Sequence, residues 1–457
     1  MDHLLEIITL GCKVNQAETE SLAAGFVRQK NWKLAGPHED ADLCIINTCA
    51  VTQKAAMQSR QAIRKAVRGH PNAVIVVTGC YAQNDPKAIG DIKGVDYVIG
   101  QGEKHRIIEI GSALMQVDSS KLSFPRVSGP IIRHSDISGP RRFAPMPAPA
   151  AGVFRTRPFL KIQDGCNSFC TYCIVPYTRG RSRSLPADAV LSEFRALADA
   201  NSPEIVLTGV HIGKYGQDLS PQMDLAGLLV LLDSVNGGHR IRLSSVEPAE
   251  ITDTLLQTIY ESEKICPHFH IPLQSGDASI LQKMKRPYTP QIFAERIETI
   301  HGLFPDAAIG VDVIVGFPGE DDSAFTRTFE LIEALPVTYL HVFPFSARPG
   351  TRAAGFDNPV SAAVIKQRCQ MLRQLGEEKK QQFYEKMTGK TLDVVIETEN
   401  TGKPGLSRGI TDNYIPLYVE NACGLQGTRV ACQINGSASD EALCGKAVTA
   451  ILSEQAS

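Results

Sequence analysis

At 457 residues with a net charge of −2, the chain has room for about two to four domains and no global electrostatic pull towards nucleic acid, so any such surface must be local. Its 43% hydrophobic content supplies ample core, and twelve cysteines dispersed over that length exclude the dense scaffold of a small disulfide-rich domain. The N-terminus MDHLLEIITLG lacks a basic region leading into a long apolar run, and runs such as GLLVLL (227–232) are too short to span a bilayer. The expectation is a cytoplasmic chain with reduced thiols and no membrane partner.

Residues 1–120 alternate short apolar runs with longer helical patterns. EIITLG (6–11), DLCIIN (42–47), AVIVVTG (73–79) and VDYVIG (95–100) are expected as strands, and 17–30 and 53–68 as helices. Nearly continuous apolar strands alternating with helices argue for a parallel α/β sheet. Cys12, Cys49 and Cys80 each stand just past a strand end, in LGCKVNQ, INTCAV and VTGCYAQ. Open parallel sheets place their ligand sites outside the carboxyl ends of the strands, which gives these distant thiols a route to one site. Spacing alone leaves a shared site and separate thiols both open. Cys44, inside the second strand, reads as a small buried hydrophobe. The helix after Cys49 carries Lys54, Arg60, Arg64, Lys65 and Arg68 without an acid, which suits either a solvated face or one that tracks phosphates.

The stretch 121–153 is rich in Pro, Gly, Ser and Ala, shows no sustained period, and is expected to be a linker with little structure. Its Arg141 and Arg142 suit either solvent or an anionic partner.

Residues 154–386 form the next unit. FLKIQDG (159–165) is expected as a strand running into GCNSFCTYC (165–173), where Cys166, Cys170 and Cys173 form a CxxxCxxC. Three thiolates so spaced can hold three irons of a cubane cluster and leave the fourth open to a small molecule. A structural zinc site wants four closed ligands, so zinc or plain buried cysteines are the lesser readings. PYTRGRSRS follows, and its Arg179, Arg181 and Arg183 suit phosphate or carboxylate recognition or ordinary salt bridging. Further strands are expected at 204–209, 240–248, 269–276, 308–318 and 338–345, with helices at about 187–200, 224–236, 251–262, 290–303, 322–334 and 360–385. Functional groups of parallel barrels gather at the carboxyl ends of strands. That singles out Thr208 and Gly209, Ser244 and Glu247, Gln274 and Ser275, and Asp312, with turn geometry for Gly316 and Gly319 and a hydrogen-bonded buried carboxylate for Asp312 as the plainer readings. His268 and His270, without a HExxH arrangement, read as packing or hydrogen-bonding residues.

In 387–457 the pattern turns to short alternating strands at about 391–398, 413–420, 428–433 and 446–452, which suggests a small β-barrel. Five basic residues against eight acidic ones from 388 onward deny it a generic basic footprint, so RNA binding there would need a focused face such as Arg408, Tyr414 and Tyr418.

The CxxxCxxC, with the aromatic Tyr172 before its last cysteine, resembles the signature of the radical S-adenosylmethionine (radical SAM) enzymes. GCKVNQAETE, NTCAVT and GCYAQ resemble the N-terminal domain of the methylthiotransferases, and the resemblance extends over nearly the whole chain. It implies an α/β architecture: an N-terminal parallel α/β domain (1–120), a central partial (βα)6 radical SAM barrel (154–386) and a C-terminal TRAM β-barrel (387–457). It implies two [4Fe–4S] clusters, an auxiliary one on Cys12, Cys49 and Cys80 and a radical-generating one on Cys166, Cys170 and Cys173. S-adenosyl-L-methionine is implied in two roles, near Thr208, Gly209, Ser244, Glu247, Gln274, Ser275 and Asp312: a source of the radical that abstracts hydrogen, and a methyl donor to sulfur held at the auxiliary cluster. Implied partners are a tRNA substrate, an electron donor and a sulfur donor.

TLGCKVNQAETE (9–20) is similar to the branch acting on N6-threonylcarbamoyladenosine near the anticodon of tRNA. The branch acting on an aspartate of a ribosomal protein has proline and lysine after the first cysteine, where Lys13 and Val14 stand here. That branch and the one acting on isopentenyladenosine are the alternatives. Cys423, Cys432 and Cys444 have no counterpart in the resemblance and read as buried or incidental thiols.

Overall fold

The structure is a computed structural model that describes residues 2–29, 31–36, 39–115, 129–139, 141–148, 155–399, 401–403, 405–439 and 442–450. The end of the last strand expected from sequence, beyond 450, lies outside the described residues.

The N-terminal sheet is parallel throughout, in the order β2-β1-β3-β4-β5-β6. Its strands are β1 (His3–Thr9), β2 (Trp32–Leu34), β3 (Leu43–Thr48), β4 (Val74–Gly79), β5 (Tyr97–Ile99) and β6 (Ile131–Arg133). The central strands β3 and β4 are buried at every position because both faces are covered. Leu43, Ile45, Val74 and Val76 pack with Leu22 and Phe26 of helix α1 (Lys13–Val27). Cys44, Ile46, Ile75 and Val77 pack with Ile63 and Ala66 of α2 (Gln53–Gly69) on the other face, so Cys44 is a core residue as expected. Thr52 caps α2, its hydroxyl accepting the Ala55 N–H at 3.0 Å.

Two strands depart from the sequence reading. β2 is a three-residue edge strand anchored by Trp32, whose ring lies 5.0 Å from that of Phe26. β6 comes from the stretch expected to be an unstructured linker and extends the sheet beside β5, with Ile131 opposite Tyr97. Three residues on a half-exposed edge are too few to impose a period on the sequence.

The central unit has two parallel three-stranded sheets, β7-β10-β11 and β12-β13-β14, joined by an isolated bridge between Ile241 and Ile265. The strands are β7 (Phe159–Lys161), β10 (Glu204–Thr208), β11 (Arg240–Leu243), β12 (His268–Gln274), β13 (Ala308–Val315) and β14 (Tyr339–Pro344). A short antiparallel ribbon, β8 (Gln163–Asp164) with β9 (Arg183–Ser184), brackets the cysteine loop between them. Helices Ala187–Asp199, Leu225–Asp233, Asp253–Glu261, Pro290–Leu303, Asp322–Ala334 and Ala362–Met387 cover the outside, giving the expected partial (βα)6 barrel. Outward-pointing Ile205, Leu207, Ile271, Val311 and Val313 form one core with Phe194, Leu229, Phe293 and Ile332 of those helices.

The C-terminal strands β15 (Thr391–Thr398), β16 (Leu406–Thr411), β17 (Pro416–Glu420), β18 (Arg429–Ser439) and β19 (Ala442–Ala450) close into a barrel in the order β15-β16-β17-β19-β18. β16, LSRGIT, escaped the sequence reading because Ser407, Arg408 and Gly409 dilute its apolar positions. This barrel is fastened to the central unit through Glu204, which is fully buried and bonds Arg157, Arg240 and Arg242 at 2.6–2.9 Å. Arg240 and Arg242 in turn donate to the carbonyls of Asp393, Ile410, Thr411 and Asp412. Burial alone would push the Glu204 carboxyl up, but Arg242, Arg240 and Arg157 hold it well below the usual carboxylate range. Among the described residues, no helix is long and apolar enough to cross a membrane.

Candidate active site

The three N-terminal cysteines stand at the carboxyl end of the first sheet, near enough for Cys80 and Cys12 to act electrostatically on Cys49. Cys12 immediately precedes α1, Cys49 follows β3, and Cys80 opens the helix Cys80–Asn84 directly after β4. Two left-handed glycines, each at φ +100°, make the approach. A Cβ on Gly11 would lie 2.9 Å from Cys49 Sγ, and one on Gly79 would lie 2.3 Å from the Thr48 carbonyl oxygen. Asn15 ties the strand ends together, donating to the carbonyls of Leu10 (2.7 Å) and Thr48 (3.0 Å). The Cys49 backbone is clamped both ways by Ser59. Burial, then the neighbouring Cys80 and Cys12, push the Cys49 thiol up to about 12. Such crowding of thiols is relieved when a cation takes them as ligands.

The second trio sits on the loop after β8. Burial would raise the Cys166 thiol, but hydrogen bonding and charge from His211 and the contacts of Ser168 hold it below the ordinary value. His211 Nδ1 lies 3.4 Å from Cys166 Sγ, and its Nε2 meets Glu250 at 2.8 Å. The His211 backbone N–H donates to Gln163 Oε1 at 2.7 Å. Cys170 receives Arg286 Nη1 at 3.3 Å, and Arg286 is ion-paired with Glu247. Burial raises the Cys170 thiol against the opposing pull of Arg286, and burial together with Cys170 pushes Cys173 up to about 12.

A buried ionic network joins the two trios. Arg179, 2% exposed, bonds Glu18 at 2.9 Å, Asp164 at 2.9 Å and Asn15 Oδ1 at 2.6 Å. Lys104 and Lys161 reach the same Glu18 carboxylate at 2.6 and 2.9 Å, and Arg183 reaches Asp164 at 2.8 Å. Arg179 thus belongs to the cysteine-loop side yet stands within electrostatic reach of Cys80 and Cys12. Of the three arginines after the loop, Arg179 and Arg183 are committed to ion pairs. Arg181 is exposed, lying over the Phe169 ring at 4.8 Å.

The other strand-end residues divide. Glu247 touches the cysteine loop through Arg286, and Ser244 Oγ and Glu250 Oε2 are buried without a hydrogen-bond partner among the described residues, as a polar ligand's contacts would be. Thr208 is buried in β10, and Gly209 lets the chain pass close to Ile212 and Gln163. Gln274 ends β12 in a left-handed conformation (φ +66°), and the Ser275 hydroxyl accepts the Asp277 N–H at 3.2 Å, an internal contact. Asp312 lies deeper on the inner face of β13, hydrogen-bonded by His270 Nε2 at 2.8 Å and His341 Nδ1 at 3.2 Å. His268 bonds Tyr339 and stacks at 4.3 Å on Tyr414, so Tyr414 faces the central barrel rather than an outer RNA surface.

Comparison with known proteins places this arrangement. Two family models match: residues 5–100 the Uncharacterized protein family UPF0004, and residues 160–332 the Radical SAM superfamily. A threonylcarbamoyladenosine tRNA methylthiotransferase MtaB of Aquifex aeolicus is 39% identical over 90% of this chain and 95% of its own. The Bacillus subtilis MtaB is 38% identical over 93% and 92%. The chain belongs to the MtaB family of radical SAM methylthiotransferases. As a methylthiotransferase it is an enzyme of the radical SAM class, and its paired cysteine trios fall one within each matched model. A tRNA-2-methylthio-N(6)-dimethylallyladenosine synthase of Pelotomaculum thermopropionicum is 33% identical over 88% of each chain. The radical S-adenosylmethionine methyltransferase TsrM of Kitasatospora setae, solved with cobalamin and a [4Fe–4S] cluster, shares the fold at 13% identity, with a TM-score of 0.54 over 89% of this chain and 81% of that one.

Sequence reasoning missed His211, Glu250 and Arg286, which brace the methylthiotransferase's second trio. His211, three residues past Thr208 at a strand end, carried a signal in its position; Arg286 follows a left-handed Lys285 and carried none.

Proposed function

We infer that the protein methylthiolates N6-threonylcarbamoyladenosine near the anticodon of tRNA, replacing a C–H bond by C–S. The observation that carries this reading is the similarity to MtaB proteins over nine-tenths of the chain, in a fold that presents two separate cysteine trios. Cys166, Cys170 and Cys173 would hold one [4Fe–4S] cluster and Cys12, Cys49 and Cys80 the other, each trio leaving one iron open. When bound, the clusters and S-adenosyl-L-methionine supply one-electron chemistry, hydrogen abstraction, sulfur and a methyl group.

The chain's own residues position and shield. His211, held by Glu250, and Arg286, held by Glu247, orient Cys166 and Cys170. Ser244 and Glu250 offer unpaired buried oxygens to a polar ligand such as S-adenosyl-L-methionine. The buried Arg179 network ties the helix that follows Cys12 to the segment that follows the second cysteine loop, and so fixes the two trios relative to one another. The tRNA is met by the exposed Lys54, Arg64, Lys65 and Arg68 of α2, which lies against the end of β14 through Gln53 and Ser346. An electron donor and a sulfur donor complete the reaction.

Nucleoside analysis of tRNA from a deletion strain tests the reading. The 2-methylthio derivative of threonylcarbamoyladenosine should vanish and return with the wild-type gene. An unchanged level, or loss of the isopentenyl derivative instead, would overturn it. Cys12→Ala should abolish methylthiolation and leave cleavage of S-adenosyl-L-methionine, read as 5′-deoxyadenosine, because the two trios do separate work.

A further inference from the structure

The inner face of β12-β13-β14 carries a single carboxylate, Asp312, between His270 and His341. The two histidines and the aspartate have ligand atoms within 4.8 Å of one another, a spacing a metal ion would accept. Their surroundings argue against a cation. Lys13 enters from the N-terminal domain with its Nζ 5.9 Å from the centre of the Tyr414 ring, and Arg242 lies over the same ring at 5.1 Å. Tyr414 continues through Tyr339 (6.3 Å) to His341 (5.4 Å), so these rings form one contiguous run of side chains. Arg242 is committed to Glu204 and to backbone carbonyls. Lys13 has no hydrogen bond or salt bridge among the described residues. A half-buried ammonium that lies beside aromatic rings, with Glu204 and Asp312 near it but no carboxylate in direct contact, is suited to take an anionic ligand. His341 is 49% exposed and donates its Nδ1–H to Asp312, which leaves Nε2 as an acceptor.

We propose that Lys13 reads the side-chain carboxylate of the threonylcarbamoyl group on the target adenosine, with His341 Nε2 accepting that side chain's hydroxyl. The assignment rests on the function inferred above and adds its specificity determinant. An isopentenyl group has neither an anion nor a donor, and would leave Lys13 desolvated and unpaired. Discrimination of this kind is strong because it works by stranding a buried polar group.

The test uses the full chain, anaerobically prepared with its clusters, and three anticodon stem-loop RNAs. They carry threonylcarbamoyladenosine, its methyl ester, or isopentenyladenosine, and dissociation constants are measured at one salt concentration. Wild type should lose about 10- to 100-fold in affinity on esterification, the value of a charge-assisted contact. Lys13→Met should bind acid and ester alike, near the wild-type value for the ester, and Lys13→Arg should retain most of the ratio. Iron and sulfide per chain are measured for both variants because Cys12 is adjacent. The acid-to-ester ratio of wild type stands as evidence even if a variant loses iron. Equal wild-type affinity for acid and ester overturns the proposal, as does a Lys13→Met protein that keeps the wild-type ratio. Methylthiolated product from the acid RNA without such discrimination removes Lys13's role and leaves the function standing. Product from the isopentenyl RNA alone removes both.

Discussion

His239 sits in the core 3% exposed, its ring edge-on to Phe194 at 5.0 Å, with neither nitrogen hydrogen-bonded among the described residues. Burial, reinforced by Lys264 and Arg429, lowers its pKa from 6.5 to about 4. The unfolded chain therefore takes up this proton at a higher pH than the folded chain. The stability His239 contributes is complete above about pH 6.5 and is lost as the pH falls towards about 4. His239→Leu should flatten that part of the acid limb in denaturant midpoints measured from pH 7 to pH 4, and an unchanged slope would show that other groups set it. At the same scale, the cysteine trios show what a sequence conveys. Each thiol past a strand end was legible because strand ends collect function. The groups that brace them were not: His211 reaches Cys166 from 45 residues away, Glu250 holds His211 from 39 residues further on, and Arg286 reaches Cys170 across 116, a proximity only the folded barrel creates.

At the level of elements, the turn from β4 into the Cys80 helix depends on a glycine that no other residue replaces. Gly79→Ala combines a left-handed φ of +100° with a Cβ 2.3 Å from the Thr48 carbonyl, so Cys80 must move away from Cys49. Iron should fall from about eight to about four per chain, with the second trio still loaded. Full iron retention in that variant would remove Cys80 from the site. Helix α2 offers a separate test. Its exposed Lys54, Arg64 and Arg68, changed together to Ala, should reduce the slope of log affinity for tRNA against log salt by about two to three. An unaltered slope would place the RNA elsewhere. The long apolar strands and long helices were legible from their periodicity. The edge strands β2 and β6 were not, because three residues beside a single neighbour draw their order from the sheet they join.

Across the whole molecule, Glu204 is the fastening of the C-terminal barrel. Glu204→Gln leaves Arg157, Arg240 and Arg242 buried around a neutral amide and should cost about 3–5 kcal/mol of stability. The loss is read as a lowered denaturant midpoint, and a change below about 1 kcal/mol would mean that the backbone carbonyls alone hold those arginines. The three-part architecture was legible as a change of pattern along the chain; this fastening was not, since its charges sit inside strands that read as ordinary core. The Arg179 network has a consequence in time as well as in space. Glu18 leaves the ribosome 161 residues ahead of Arg179 and 86 ahead of Lys104. Until the segment after the second cysteine loop emerges, the nascent N-terminal domain holds a carboxylate in its interior with its cations incomplete. The Glu18 pairing is therefore completed only once residue 179 has been made, so a chain cut short after residue 115 should hold its N-terminal domain less stably than the full chain does.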